Sequence, residues 1–169
     1  SGGSIVEKLC HDFDVFSWWL DARPVQVYAA GGLSVYSERN TLDHADIVVE
    51  YDSGATLNVN LCMFAPNHRF KGRYMGLIGD KAVLDLDEAL SDYSVFNADG
   101  ETVTHQNVEK ATRGGFHAGN ATRIQLDAFV DSIQNGTKPF ADSAAGRLSV
   151  AVAQAAEEAV RTGKAVQLP

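Results

Sequence analysis

The first twenty residues sort onto two faces. At about 100° per residue, Ile5, Leu9, Phe13, Phe16 and Leu20 fall on one side of a helix, and Glu7, His11, Asp14 and Trp18 fall on the other. The first set is the apolar stripe of a helix packed on a core. The pattern predicts a helix over residues 4–20, stopped by Asp21-Ala22-Arg23-Pro24. The opposite stripe of acid, imidazole, acid and indole needs its own account. Either water solvates it, or something outside this chain covers it.

Beyond the helix the period changes to two. Residues 24–30 read as a strand ended by Gly31-Gly32, and residues 34–44 as a polar, irregular stretch. Residues 45–51 and 55–63 form a hairpin over Asp52-Ser53-Gly54. In its second arm Leu57, Val59, Leu61 and Met63 alternate with Asn58, Asn60 and Cys62, which marks a sheet with unlike faces. Two more hairpins follow, over Gly79-Asp80-Lys81 and over Ala98-Asp99-Gly100. Residues 107–119 read as a Gly-rich loop. A helix over 121–134 has Leu126, Phe129, Val130 and Ile133 on its expected core side, and Asn135-Gly136 ends it. Asp142 is a good N-cap for a last helix over 143–161, and residues 166–168 suit a short edge strand. Helix, paired strands, then two helices define an α+β domain: an open, mainly antiparallel sheet with helices on one face. One domain over residues 1–169 is expected.

Composition narrows the class. The chain has 169 residues, 45% of them hydrophobic, which suits one soluble domain with a real core. A net charge of −8 with 14 scattered basic residues argues against a nucleic-acid partner. No apolar run approaches the length of a membrane span, and no signal peptide is visible. The two cysteines, Cys10 and Cys62, make no disulfide framework, so a cytoplasmic location is expected.

The candidate chemistry lies on the first helix. Glu7 and His11 are four apart and can act as an acid–imidazole pair; an ordinary solvated surface pair stays open as the alternative. Asp14 shares their face and can orient His11. Lys8 beside Glu7 can reach a hydroxyl or phosphate. His117 sits in a Gly-rich loop leading into a helix, where backbone amides can approach a ligand closely. No metal site is expected: Glu7, His11 and Asp14 need a further ligand, and His44, His68 and His117 follow no ligand spacing. No Gly-x-Gly-x-x-Gly follows a strand, and Cys10 points away from His11 around the helix.

The opening block Gly2-Gly3, Glu7, His11, Asp12 and Asp14 resembles the start of the second domain in the glucose–fructose oxidoreductase / inositol 2-dehydrogenase family. So do Glu50-Tyr51-Asp52-Ser53-Gly54-Ala55, the run Asp131 to Pro139, and Arg161-Thr162-Gly163-Lys164-Ala165-Val166 near the end. The match extends from Gly2 to Leu168, although the family more often has Asp where Glu7 stands. The resemblance implies a substrate-side domain of an NAD- or NADP-dependent oxidoreductase acting on a sugar or polyol. It implies that His11 moves the hydroxyl proton, that Glu7 aligns it, and that Asp14, Lys8 and His117 border the substrate. It implies too that a separate N-terminal dinucleotide-binding domain supplies the cofactor site and a catalytic lysine, so that this chain is a fragment, or an independently expressed half, of a longer enzyme. No cofactor is expected on this chain alone. The other sheet face is expected to join a homodimer or homotetramer. Two alternatives stand beside this reading: an NAD-dependent glycoside hydrolase of the same family, which Glu7-Lys8 keeps open, and a non-catalytic module for sheet-mediated dimerisation.

Overall fold

Helix one forms where its periodicity places it, in a computed structural model that describes residues 2–65, 75–86, 93–105, 120–139 and 141–169. It opens with a π-helical turn, Ile5–Leu9, and continues as helix α1, Cys10–Leu20. The uniform α-helix expected from the sequence is therefore widened at its first turn. The apolar stripe is buried as expected: Ile5 and Phe13 have no exposure, and Leu9 and Phe16 very little. Asp21 ends α1 in the left-handed region at φ 44°, where its backbone N–H reaches the carbonyls of Ser17 and Trp18. Aspartate tolerates that conformation better than a branched residue.

The remaining elements are β1 (Pro24–Gly32), β2 (His44–Tyr51), β3 (Thr56–Cys62), β4 (Met75–Ile78), β5 (Ala82–Leu86), β6 (Tyr93–Asn97), β7 (Thr102–His105), α2 (Asn120–Asn135), α3 (Ser143–Thr162) and β8 (Val166–Gln167). The chain divides into two compact units, Ser1–Ala65 with Ala141–Pro169, and Pro66–Phe140. The α+β class is as expected. The open antiparallel character is also as expected; among the described residues the strands form two four-stranded antiparallel sheets, ordered β3-β2-β1-β8 and β4-β5-β6-β7. Each hairpin is closed by the local turn that the sequence marks. Nothing in that local signal dictates which hairpins join into one sheet.

In the first unit the strands alternate cleanly. Ala45, Ile47, Val49 and Tyr51 of β2 are buried, as is Leu57 of β3. Helix α3 packs on this face and meets helix one on its other side. Its contact surface is made of Val152, Ala153, Ala155, Ala156 and Ala159, all nearly or fully buried. Small side chains let helix one and β1 approach its backbone closely. Asp142 caps α3 by accepting the N–H of Ala145 at 2.9 Å, and Gly163 ends it at φ 64°. Strand β1 runs through Gly31-Gly32 rather than stopping before them. A Cβ on Gly31 would stand 2.8 Å from the Ala45 Cα, so glycine is what allows the two strands to pair there.

A buried carboxylate organises the 34–44 stretch. Asp43 is 2% exposed. It accepts the backbone N–H groups of Ser34, Val35 and Tyr36 at 2.7–3.0 Å and pairs with His44 Nδ1 at 2.9 Å. Burial alone would raise its pKa. The hydrogen bonds from His44 and the three amides outweigh that and hold the carboxyl well below the ordinary carboxylate range. The loop is thus folded around one charge.

In the second unit, α2 has the expected apolar stripe, but not the expected burial. Leu126, Phe129, Val130 and Ile133 are 47–66% exposed. No described element covers that stripe, so periodicity identified the helix face correctly and its burial wrongly. The 107–119 loop, with His117, lies outside the described residues. Among the described residues, no helix is long and apolar enough to cross a membrane.

The two faces of helix one should respond differently to truncation. Phe13→Ala removes a fully buried ring and should cost about 3–5 kcal/mol, whereas His11→Ala on the open face should change stability by less than about 0.5 kcal/mol. Urea unfolding of the two variants measures the difference.

Candidate functional site

The site is built on the lead-in to helix one. Gly2 and Gly3 adopt φ 92° and 88°, a region that favours glycine. A side chain at Gly3 would also be crowded. A Cβ there would stand 3.1 Å from Glu157 Oε1 on α3 and 3.4 Å from Thr41 Cγ2 on the loop folded around Asp43. The chain therefore enters the helix between α3 and that loop. This fixes where the first turn starts and hence which way its residues point.

Glu7 and His11 are exposed, Asp14 is half-buried, and Trp18 is 57% exposed. Four side chains of the expected stripe thus stand on the open side of a helix whose other side is packed. Glu7 lies in the π-helical turn, a distortion often found at functional sites. The turn shifts the phase of the ladder, so the simple 3.6-residue spacing does not carry strictly from Glu7 to His11. Lys8 forms an exposed ion pair with Glu7 at 3.2 Å. The pair leaves Glu7 with a compensated charge and ties up one Lys8 donor. No hydrogen bond joins His11 to Glu7 or Asp14 in this structure. Cys10 donates to the Glu7 carbonyl at 3.7 Å and faces away from His11.

Sequence reasoning passed over two acids near this site, Asp43 and Glu157, and named Asp12 only as part of the opening block. Asp12 is 7% exposed, on the core side of the helix. Its position, about 20° from Ile5 on the helical wheel, carried that signal. Glu157 had none, because the glycine it approaches is distant in sequence, and no periodic pattern marks Asp43 as a buried acceptor of the Ser34, Val35 and Tyr36 amides. Burial pushes the Glu157 carboxyl above its ordinary value. Among the described residues, no group of three or more His, Cys, Asp or Glu side chains is placed to hold a metal ion. Both sheets are antiparallel, so these residues contain no strand–helix–strand unit to carry a dinucleotide.

The profile of the oxidoreductase family, C-terminal alpha/beta domain, matches residues 1–168. The chain belongs to that family, the glucose–fructose oxidoreductase / inositol 2-dehydrogenase group, as its C-terminal domain. It is 24% identical over 172 residues to scyllo-inositol 2-dehydrogenase (NAD(+)) of Bacillus subtilis, covering 99% of this chain and 48% of that protein. Its fold is similar to that of an oxidoreductase from Agrobacterium radiobacter solved with NAD+, L-tartaric acid and magnesium (TM-score 0.82, 17% identity, 99% of this chain, 50% of that one). It is also similar to aldose–aldose oxidoreductase from Caulobacter crescentus solved with glycerol (TM-score 0.80, 19% identity, 99% and 48%). The chain spans about half the length of these relatives.

The raised pKa of Glu157 has a pH signature. Its folded value exceeds its unfolded one, so charging the folded protein is unfavourable. Stability is lost as pH rises from the unfolded pKa of about 4.3 through the folded value, and the loss is complete above both. Glu157→Gln should raise Tm at pH 7 and leave it unchanged at pH 3, by thermal melts at the two values.

Proposed function

We propose that the chain is the substrate-side domain of an NAD- or NADP-dependent oxidoreductase that acts on a sugar or polyol. The observation that carries this reading is the split of helix one. Its core face is packed, and its other face presents Glu7, His11, Asp14 and Trp18 outward beyond a glycine lead-in that passes close to α3 and the Asp43 loop. Membership of the family supplies the reaction class.

The described residues of this chain do not fit a dinucleotide, so its site is assigned to a separate N-terminal domain. A bound nicotinamide supplies the hydride acceptor or donor. The residues of this chain do the rest. His11 takes the proton from the reacting hydroxyl, or returns it in reduction, as an imidazole near neutrality can. Glu7 and Asp14 accept hydrogen bonds from neighbouring hydroxyls and set the ring's orientation. Lys8, beside Glu7, donates to a substrate oxygen at the edge of the site. Packing of the N-terminal domain over the open face would exclude water from the reacting carbon.

The outer face of the first sheet is proposed to join two copies. It carries Gln26, Tyr28, Asp46, Val48, Glu50, Asn58 and Asn60, with cross-strand bonds from Gln26 to Glu50 at 3.1 Å and from Asn60 to Asp46 at 2.6 Å. An antiparallel sheet covered by helices on one side leaves such a face for a partner. Light scattering at micromolar concentration should give a dimer or tetramer, and Val48→Lys should shift it to monomer. A wild-type monomer counts against this interface.

In the enzyme that contains this domain, His11→Ala should lower kcat by roughly 10²–10⁴-fold. Glu7→Gln should act mainly on KM, if Glu7 positions substrate and imidazole. Steady-state kinetics with a candidate polyol such as an inositol, plus a melting curve, makes the test. A near-wild-type kcat for His11→Ala removes the assignment.

A further inference from the structure

Helix α2 ends on a pair of residues whose chemistry the proposed reaction does not use. Asn135 is the last residue of the helix, and Gly136 follows it in the left-handed region at φ 63°. Every other asparagine of the chain precedes a residue that has a side chain. An asparagine side-chain amide and the next backbone nitrogen are spaced to close a five-membered ring. A side chain on the second residue shields that nitrogen, and glycine leaves it open. Asparagine is thermolabile for this kind of reason.

The end of α2 holds this pair weakly. Thr137 N–H donates to the Ser132 carbonyl at 2.9 Å, and Gly136 N–H donates to the Ile133 carbonyl at 3.3 Å. Together they form a Schellman closure, and the longer bond engages the nitrogen that would attack. Asn135, Gly136 and Thr137 are all exposed, and a Cβ on Gly136 would meet no described atom within 4 Å. Asn135 Nδ2 donates to the Asp131 carbonyl at 2.9 Å. Ring closure needs Asn135 out of its helical conformation. Its terminal position makes that the opening of one turn, and helix ends open far more readily than cores.

We propose that Asn135 is a site of spontaneous modification, in which its side-chain amide becomes a carboxylate and the last turn of α2 loosens. The Gly136 nitrogen gives its proton to solvent and attacks Asn135 Cγ. The new N–Cγ bond forms as the Cγ–Nδ2 bond breaks, and Nδ2 leaves as ammonia with a proton taken from solvent. Water then opens the ring at either carbonyl, giving aspartate or isoaspartate; nothing is oxidised or reduced. The product puts a negative charge at a helix C-terminus, where the macrodipole opposes it. It stands four residues after Asp131, and like charges at that spacing repel. The Nδ2 donor to the Asp131 carbonyl is lost as well. This is independent of the oxidoreductase reading, because none of these residues lies on helix one.

The experiment incubates the folded chain in warm, mildly alkaline buffer and maps peptide masses over time, with a urea-unfolded sample alongside. The peptide holding Asn135 should gain the mass difference between amide and acid at least about tenfold faster than any other asparagine peptide, and should accept methylation at isoaspartate. Gly136→Ala should slow the gain about tenfold, with a melting curve to show that the variant is folded. Asn135→Asp installs the charge at once, and hydrogen exchange at the Gly136 and Thr137 amides should then be faster than in wild type. An Asn135 that stays intact in the folded chain while it converts in urea overturns the proposal. So does a folded Gly136→Ala chain that converts as fast as wild type. Should Gly136→Ala be unfolded, the comparison of folded with urea-unfolded wild type decides alone. Unchanged exchange in Asn135→Asp overturns the loosening of the last turn.

Discussion

The first unit depends on the packing of one helix against another across small side chains. Helix one brings Ile5, Leu9, Phe13 and Phe16 to the alanine surface of α3, and α3 lies on the buried face of β1 and β2. Four large apolar side chains on one helix need a partner with little bulk of its own, or the backbones stand too far apart to exclude water. The alanines at 153, 155, 156 and 159 meet that need. Once the stripe is fixed, the other side of the helix has no choice of direction. Glu7, His11 and Asp14 point outward because Leu9 and Phe13 point inward.

Two backbone features sharpen this arrangement. Gly3 passes close to Glu157 and Thr41 with a positive φ that favours glycine, and the helix starts just beyond it. The loop that brings Thr41 there is folded around Asp43, whose charge accepts hydrogen bonds from three amides and pairs with His44 Nδ1. The position of His11 therefore rests on a chain of contacts reaching from β1 through the loop to the glycines.

Much of this was legible in the sequence. The two stripes of helix one, the alternation in β2 and β3, the Asp142 cap and the Gly163 stop all follow from local periodicity and local chemistry. What was not legible depends on residues far apart. The role of Asp43 comes from amides seven to nine residues before it, and that of Glu157 from a glycine more than 150 positions away. The π-helical turn arises where the helix leaves the glycines, and no period reveals it. The apolar stripe of α2 reads as a core face, yet among the described residues it stands open. Periodicity reports which face is apolar and says nothing of what covers it. The division of the strands into two sheets was hidden for the same reason, since a hairpin's turn determines its own register and no other.

The account assigns proton handling to this chain and the dinucleotide to another domain. Calorimetric titration of NAD and of NADP into the folded chain tests that division most directly. The account predicts no binding in the micromolar range for either. A micromolar Kd would mean that this chain carries a dinucleotide site of its own, and would contradict it.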